Sequence, residues 1–475
     1  MYINYKNNKN ARNIKNIATY ILNVCLIMVY LGYHSFEREL IKGGYLKMKK
    51  KLLSMLLCAV MVLSLFTGCG GGNADAGGDA DAKTVVYWSM WEATEPQGQA
   101  IQAAVDAFTA ETGIKVDLQF KGRTGIREGL QPALDGGTRI DLFDEDIDRV
   151  NSAWGKYLLD LETLAAESNY EETANAGLIA ACREAGGGTL KSIPYQPNVF
   201  GFFYNVALFE KAGITAVPTT WDEFLACCEQ LKAAGITPMT MDDAYATCVI
   251  GYHLGRYVGE EGVRKIVTEG LWDDPAVLQM AKDIEELATK GYYSEYVGTN
   301  VWPQGQNVEL AGGQVAMYLN GSWLPNEVKA TAGPDFQWGC FAYPALNACE
   351  TNIEGATPTG TESNNFGAQV YAINKDTEVA AEAFALIEYI TKGEYDAKLA
   401  EMSIGIPADT TNTEWPELVS CAKPVMEGST SRFTWAVGVE TNADMTPVIK
   451  ENFIKLMAGT ISAEEFVSAM SAASK

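Results

Sequence analysis

The sequence predicts an α/β protein folded as two lobes, and three observations predict it. A strand, a helix and a second strand follow one another within residues 84–120, the same alternation returns further along, and no repeat of about 20 to 50 residues is visible. An α/β body of about 390 residues without repeats exceeds one core and divides into two.

The elements follow in order. Val85-Val86-Tyr87-Trp88 is an apolar run that reads as a buried strand. Ile101, Val105 and Phe108 recur at i, i+4 and i+7, one face of a helix that Gly113 ends. Ile114, Val116, Leu118 and Phe120 then alternate as a strand does, which completes a parallel βαβ unit. Further on, Val199 to Tyr204 reads as a strand, and Thr219-Thr220-Trp221-Asp222-Glu223 holds a capping box that opens a helix. Gln314 to Leu319 and Val370 to Ile373 are two more strands. From Glu378 to Ile390 a helix places Ala380, Phe384 and Ile387 on one face, and Pro447 to Met457 and Ser462 to Met470 are the last two helices.

The 475 residues carry 60 acids against 36 bases, a net charge of -24, with two histidines and ten cysteines. Such a surface does not neutralise phosphates, which argues against nucleic acid and against adhesion to anionic membrane. His34 and His253 alone leave little for metal clusters or histidine acid/base chemistry, and no cofactor is implied. Asp144, Asp146 and Asp148 imitate the start of an EF-hand, but Arg149 and Gly155 stand where glycine and glutamate are required, so calcium is not expected.

The N-terminus holds two apolar runs. Lys49-Lys50-Lys51, an apolar stretch from Leu52 to Phe66, and Thr67-Gly68-Cys69 read as a signal peptide over residues 48–68, too short for the ~20 residues that span a bilayer. It resembles a bacterial lipoprotein signal, in which the cysteine, here Cys69, takes the lipid; Phe66 stands where such signals more often have leucine. Ile17 to Tyr33 is the other run, and residues 1–47 are expected to be an untranslated upstream extension, since Lys42-Gly43-Gly44 can encode a ribosome-binding sequence just before Met48. Residues 69–83, rich in Gly, Ala and Asp, read as a flexible tether. Without residues 1–68, which hold ten bases and two acids, the charge becomes -32. Seven cysteines besides Cys69 remain, an odd number with no C-x-x-C, so neither a full disulfide framework nor a zinc ribbon is indicated.

Several segments together resemble a family. Phe108-Thr109-Ala110-Glu111-Thr112-Gly113-Ile114-Lys115-Val116, the run Pro194 to Asn205, Pro218-Thr219-Thr220-Trp221, and Gly313 to Met317 followed by Asn320-Gly321-Ser322-Trp323 are similar, in order and spacing, to extracellular solute-binding proteins of carbohydrate ABC importers, relatives of maltose-binding protein. The resemblance implies a two-lobed periplasmic-binding-protein fold of type II, the lobes joined by crossing segments. Residues 84–197 with about 345–400 are expected in one lobe, and about 198–344 with 401–475 in the other. It further implies a monomer tethered by lipid to the outer face of a Gram-positive-type cell membrane. Such a protein binds a sugar or oligosaccharide in the cleft and delivers it to permease subunits without covalent chemistry.

Sugars present hydroxyl pairs and apolar C–H faces, so their sites need planar polar groups and aromatic platforms. Trp88, Trp91 and Glu92 end the first strand, where ligands of parallel α/β sheets bind; Trp88 also suits the core. The family implies stacking by Trp323, and Asp148 lies seven residues past Asp141, the spacing of a sugar-binding family aspartate. Asp146 and Arg149 flank it, with a solvated acidic turn as the alternative. Asn198 falls at the lobe crossing, as ligand contact or as plain hinge residue. Glu362, Asn364 and Asn365 before the strand at Val370, and Arg432 and Trp435 in a late loop, complete the set, each with a structural alternative. Arg123 and Arg127 suit an acidic or acetylated sugar or the neutralising of nearby acids, and His253 is assigned to structure.

Two other readings stand beside this one. A polyamine, peptide or amino-acid receptor keeps the fold and uses the acids at Asp146 and Asp148. A secreted glycoside hydrolase would need paired carboxylates across a cleft. G-x-x-x-x-G-K-[ST] and G-x-S-x-G do not occur, and H-E-x-x-H is impossible with one mature histidine.

Overall fold

In the computed structural model, residues 84–302 and 305–475 are described. The signal, Cys69 and the tether lie outside the described residues.

The first sheet grows from the βαβ unit. β1 (Thr84–Ser89) pairs in parallel with β2 (Lys115–Phe120), and α1 (Pro96–Thr112) joins them. Gly113 ends α1 in the left-handed conformation, and its N–H donates to the Thr109 carbonyl, a cap that glycine adopts without steric cost. After α2 (Gly122–Asp135), β3 (Leu142–Asp146) adds to the other side of β1 in parallel. It is followed by α3 (Ile147–Trp154), whose N-cap is Asp146.

β4 (Ile193–Asn205) is longer than the apolar run from Val199 suggests, and its two halves have different partners. Residues 193–199 pair antiparallel with β8 (Ser363–Ile373), which continues to β3, whereas residues 200–205 pair with β6 (Val315–Gly321) and β7 (Trp338–Phe341). The register slips between Tyr195 and Pro197, with Gln196 at φ 46°. β5 (Thr237–Thr240) lies beyond β6. The sheet order is therefore β2-β1-β3-β8-β4-β6-β5, and β4 and β8 carry the chain between its two halves.

Helices cover both halves. α4 (Trp221–Ala233) opens with the expected capping box: Thr220 Oγ1 accepts from Glu223 N, and Glu223 returns to the Thr220 N–H. α5 (Ala246–Glu269), broken at Gly259, runs buried beneath the segment 435–441 and contacts α6 (Pro275–Thr289). α7 (Leu324–Ala332) follows β6. α8 (Ala380–Thr391) and α9 (Gly393–Ser403) pack on α1, while α10 (Thr446–Met457) and α11 (Ala463–Ala473) pack on α6. The short β9 (Ser431–Phe433) pairs with the start of β8.

Two expectations need correction. The acidic run is no solvated turn: residues 142–146 form β3, with Asp144 and Glu145 both fully buried. Residues 345–362 pack with the second half rather than the first, since Ala345 N donates to Thr219 O and Thr357 N to Val258 O.

Candidate functional site

Where the two halves of the sheet meet, a cavity of about 740 Å³ opens. That volume falls within the range of small-molecule sites. Met90, Trp91, Glu95, Arg123, Arg127 and Gln369 line it from the first half, and Ala244, Tyr245, Trp302, Ser322, Trp323 and Glu327 from the second. Gln196, Pro197 and Asn198 of β4 lie between.

The aromatic walls are held by their neighbours. Trp91 is nearly buried, its Nε1–H donating to Tyr195 Oη at 2.8 Å, and the Arg123 guanidinium lies 4.6 Å from its ring centre. Tyr195 in turn donates to Asp144, which also accepts from Tyr87 Oη at 3.0 Å and Met90 N at 3.2 Å. Burial raises the Asp144 carboxyl to about 7, against the four hydrogen-bonding groups that lower it. Trp323 needs Gly321, since a Cβ there would lie 2.2 Å from the Trp323 ring. Trp435 meets Phe200 and Tyr245 at centroid distances of 5.9 and 6.0 Å and steep interplanar angles, with 37% of its surface exposed.

Polar groups complete the walls. Arg123 pairs with Glu95 at 2.8 Å and Arg127 with the buried Glu145 at 2.6 Å, so the cleft presents cations already matched by acids. Burial raises the Glu327 carboxyl above its ordinary value. The amide oxygens of Gln196 and Gln369 are buried with no hydrogen-bond partner, which leaves two acceptors for donors from a ligand. Asn326 Nδ2 donates to Ser403 O at 3.0 Å, tying α7 to the end of α9 across the opening.

Of the residues singled out in sequence, Trp91, Asn198, Trp323 and Trp435 line this cavity, with Arg123 and Arg127 beside them. Asp146, Asp148 and Arg149 do not; they line a neighbouring cavity of about 710 Å³, which Trp435 also borders. There Asp146 caps α3, its carboxyl raised to about 6 by burial and by Asp148, and Asp148 accepts from Arg432 Nη2 at 2.8 Å.

The remaining candidates lie away from both. Trp88 is half-buried on β1, with the Lys121 ammonium 3.9 Å from its ring. Glu92 is exposed, and Glu95, three residues on, takes the cleft position instead. Glu362 is exposed and receives Gly360 N, Asn364 is buried and donates to Thr361 O and Ser429 Oγ, and Asn365 donates to Phe433 O. Arg432 is nearly buried and serves to tie β8 to α3 through Phe366 O and Asp148. His253 is buried between Asp283 and Tyr343.

Sequence reasoning missed Tyr245, Trp302, Glu327, Gln196 and Gln369. Gln196 stood inside a family-like segment and Trp302 beside a proline; the others carried no local signal.

Residues 92–397, more than half of the chain, match the profile of the bacterial extracellular solute-binding proteins. The chain belongs to that family. A diacetylchitobiose-binding protein (NgcE) of Streptomyces coelicolor is 28% identical to this solute-binding protein over 237 residues, 47% of this chain and 50% of that one. A multiple sugar-binding protein of Streptococcus mutans is 26% identical over 208 residues, 42% of this chain and 47% of its own. The chain thus spans about half the length of these curated relatives. A solved chitin oligosaccharide binding protein shares the fold with a TM-score of 0.62 at 22% identity, covering 83% of this chain and 98% of its own. The two-lobed type II architecture is therefore the fold of this solute-binding protein. Among the described residues no helix is long and apolar enough to cross a membrane, and no group of acids, cysteines and histidine could hold a metal ion.

Proposed function

We propose that this solute-binding protein captures a sugar or oligosaccharide between its lobes and delivers it to the permease of an ABC importer, without acting as an enzyme. One observation carries the reading: a single cavity joins five aromatic walls, Trp91, Tyr245, Trp302, Trp323 and Trp435, to planar polar groups at Gln196, Asn198, Asn326 and Gln369. Those are the two kinds of surface that a pyranose presses against. The relatives named for sugars support it.

The lobes are centred on the two halves of the sheet, with crossings near Asn198 in β4 and near Gly367 in β8. Ligand in the cavity touches both lobes only when they are closed, and that differential contact drives closure. Glu95 is held by Arg123 and by the Glu92 N–H, an arrangement of a structural acid rather than of a hydrolase pair. Cys69 anchors the chain to the outer membrane face through lipid, as a monomer. Radiolabelled palmitate tests this: label should enter the wild type and not Cys69→Ser.

The direct test of the ligand is a thermal-shift screen of residues 84–475 against sugars, oligosaccharides and polyamines. Stabilisation by a carbohydrate supports the reading. Stabilisation by polyamines alone, or release of shorter sugars during incubation, refutes it.

A further inference from the structure

Four of the five non-glycine residues in left-handed backbone among the described residues are Gln196, Ile404, Ala436 and Val437. The first two line the main cavity, and the others directly follow Trp435. Such strain persists only where the surrounding fold over-determines it, and it gathers at ligand sites. At Trp435 the determinants are visible. A Cβ on Gly251 of α5 would lie 2.2 Å from Ala436 O, and one on Gly255 would lie 3.0 Å from Val437 and Phe433. The strained turn is thus seated on glycines of a buried helix, and the indole before it is a fixed wall rather than a loop side chain.

That wall belongs to both cavities. Gly367 keeps the two sets of lining residues close: a Cβ there would lie 3.4 Å from Ile147, which sits between Asp146 and Asp148 of the second cavity, and 3.9 Å from both Asn198 of the first and Arg432. The second cavity offers Asp148, Asn151, Ser152, Arg264 and Glu440, and the Asn151 amide oxygen is buried without a partner. Its residues again come from both lobes, α3 on one side and α5 with the segment after β9 on the other.

We infer that the two cavities form one extended site divided by Trp435, and that the ligand is an oligosaccharide whose further unit lies past this indole among Asn151, Ser152 and Glu440. The inference rests on the carbohydrate reading above. It deepens that reading by assigning a second subsite and a minimum ligand length beyond one sugar.

The test is calorimetric titration of the full chain with malto-, cello- and chito-oligosaccharide ladders of one to five units. Asn151→Ala, Ser152→Trp and Trp91→Ala are run beside the wild type. Ser152 is exposed on α3, so its replacement fills the second cavity without entering the core. Affinity in the ladder that binds should climb by tenfold or more once the chain passes Trp435. Asn151→Ala and Ser152→Trp should abolish that climb and leave the shortest binding member unchanged, whereas Trp91→Ala should weaken every length. A wild type that binds one unit as tightly as five, or a Ser152→Trp that leaves the climb intact, overturns the second subsite alone. Absence of binding to every ladder overturns the carbohydrate reading and the inference with it.

Discussion

Asp144 is a fully buried carboxylate with no cation against it, and replacing it with asparagine has a consequence that can be worked out in advance. Its neighbours are Tyr87, Tyr195, Ser89 and the Met90 N–H, all neutral, while Arg127 is spent on Glu145. Burial carries the carboxyl from its ordinary 3.8 to about 7. A carboxyl raised on folding stabilises the fold fully below the unfolded value, and this stability is lost as pH rises through the folded value. The loss runs from about pH 4 to pH 7 and amounts to ~4 kcal/mol, at ~1.4 kcal/mol for each pH unit of separation. Asparagine keeps the shape and an acceptor but does not titrate. Asp144→Asn should therefore be less stable than the wild type near pH 4, where the protonated acid fits its four hydrogen-bonding neighbours, and should gain on it steadily up to about pH 7 and then level off. Urea unfolding followed by tryptophan fluorescence at each pH between 4 and 8 measures the difference. Parallel stability curves for the two proteins would show that Asp144 does not titrate in this window, and the reasoning from burial would fail.

Other expectations are simpler. Trp323→Ala and Trp91→Ala each remove a platform that the fold holds in place, so each should weaken the stabilising sugar by tenfold or more, about 1.4 kcal/mol, in calorimetric titration, with little change in melting temperature for the half-buried Trp323. Gly321→Ala should cost comparable affinity without touching ligand, because the added carbon lands 2.2 Å from the Trp323 ring. Tyr195→Phe leaves the buried Trp91 indole N–H and Asp144 each short of a partner and should cost about 2 to 4 kcal/mol in urea unfolding. Thr220→Ala removes the α4 capping box for about 1 kcal/mol in the same assay, leaving ligand affinity unchanged.

The local rules of the chain were legible where neighbours in sequence decide the structure. Gly113 closed its helix, the Thr220 and Glu223 box opened one, and the alternation after Ile114 was a strand. β3 was hidden because its residues contradict the apolar pattern of a buried strand: Asp144 and Glu145 are tolerated there through partners that include Tyr87, Tyr195 and Arg127, which come from three other elements. β4 and β8 looked short because the polar residues of their crossing halves, Gln196, Asn198 and Asn364, break the apolar run where the chain passes between lobes. In the site, tryptophans announced themselves, and Trp91, Asn198, Trp323 and Trp435 all line the main cavity. Tyr245, Glu327 and Gln369 reach it from segments whose meeting is set by the crossing strands, a contact that no local pattern encodes. Arg432 and Asp148 illustrate the reverse: residues with sugar-binding chemistry that the fold has spent on each other.

The central claim is that carbohydrate draws the two lobes together around the cavity at Trp91, Trp323 and Trp435. Small-angle X-ray scattering on residues 84–475, with and without a saturating sugar that raises the melting temperature, addresses it directly. The account predicts a smaller radius of gyration with the sugar, and no such change in Trp323→Ala at the same sugar concentration when calorimetry shows its site empty. A sugar that binds tightly and leaves the scattering curve of the wild type unchanged would contradict it.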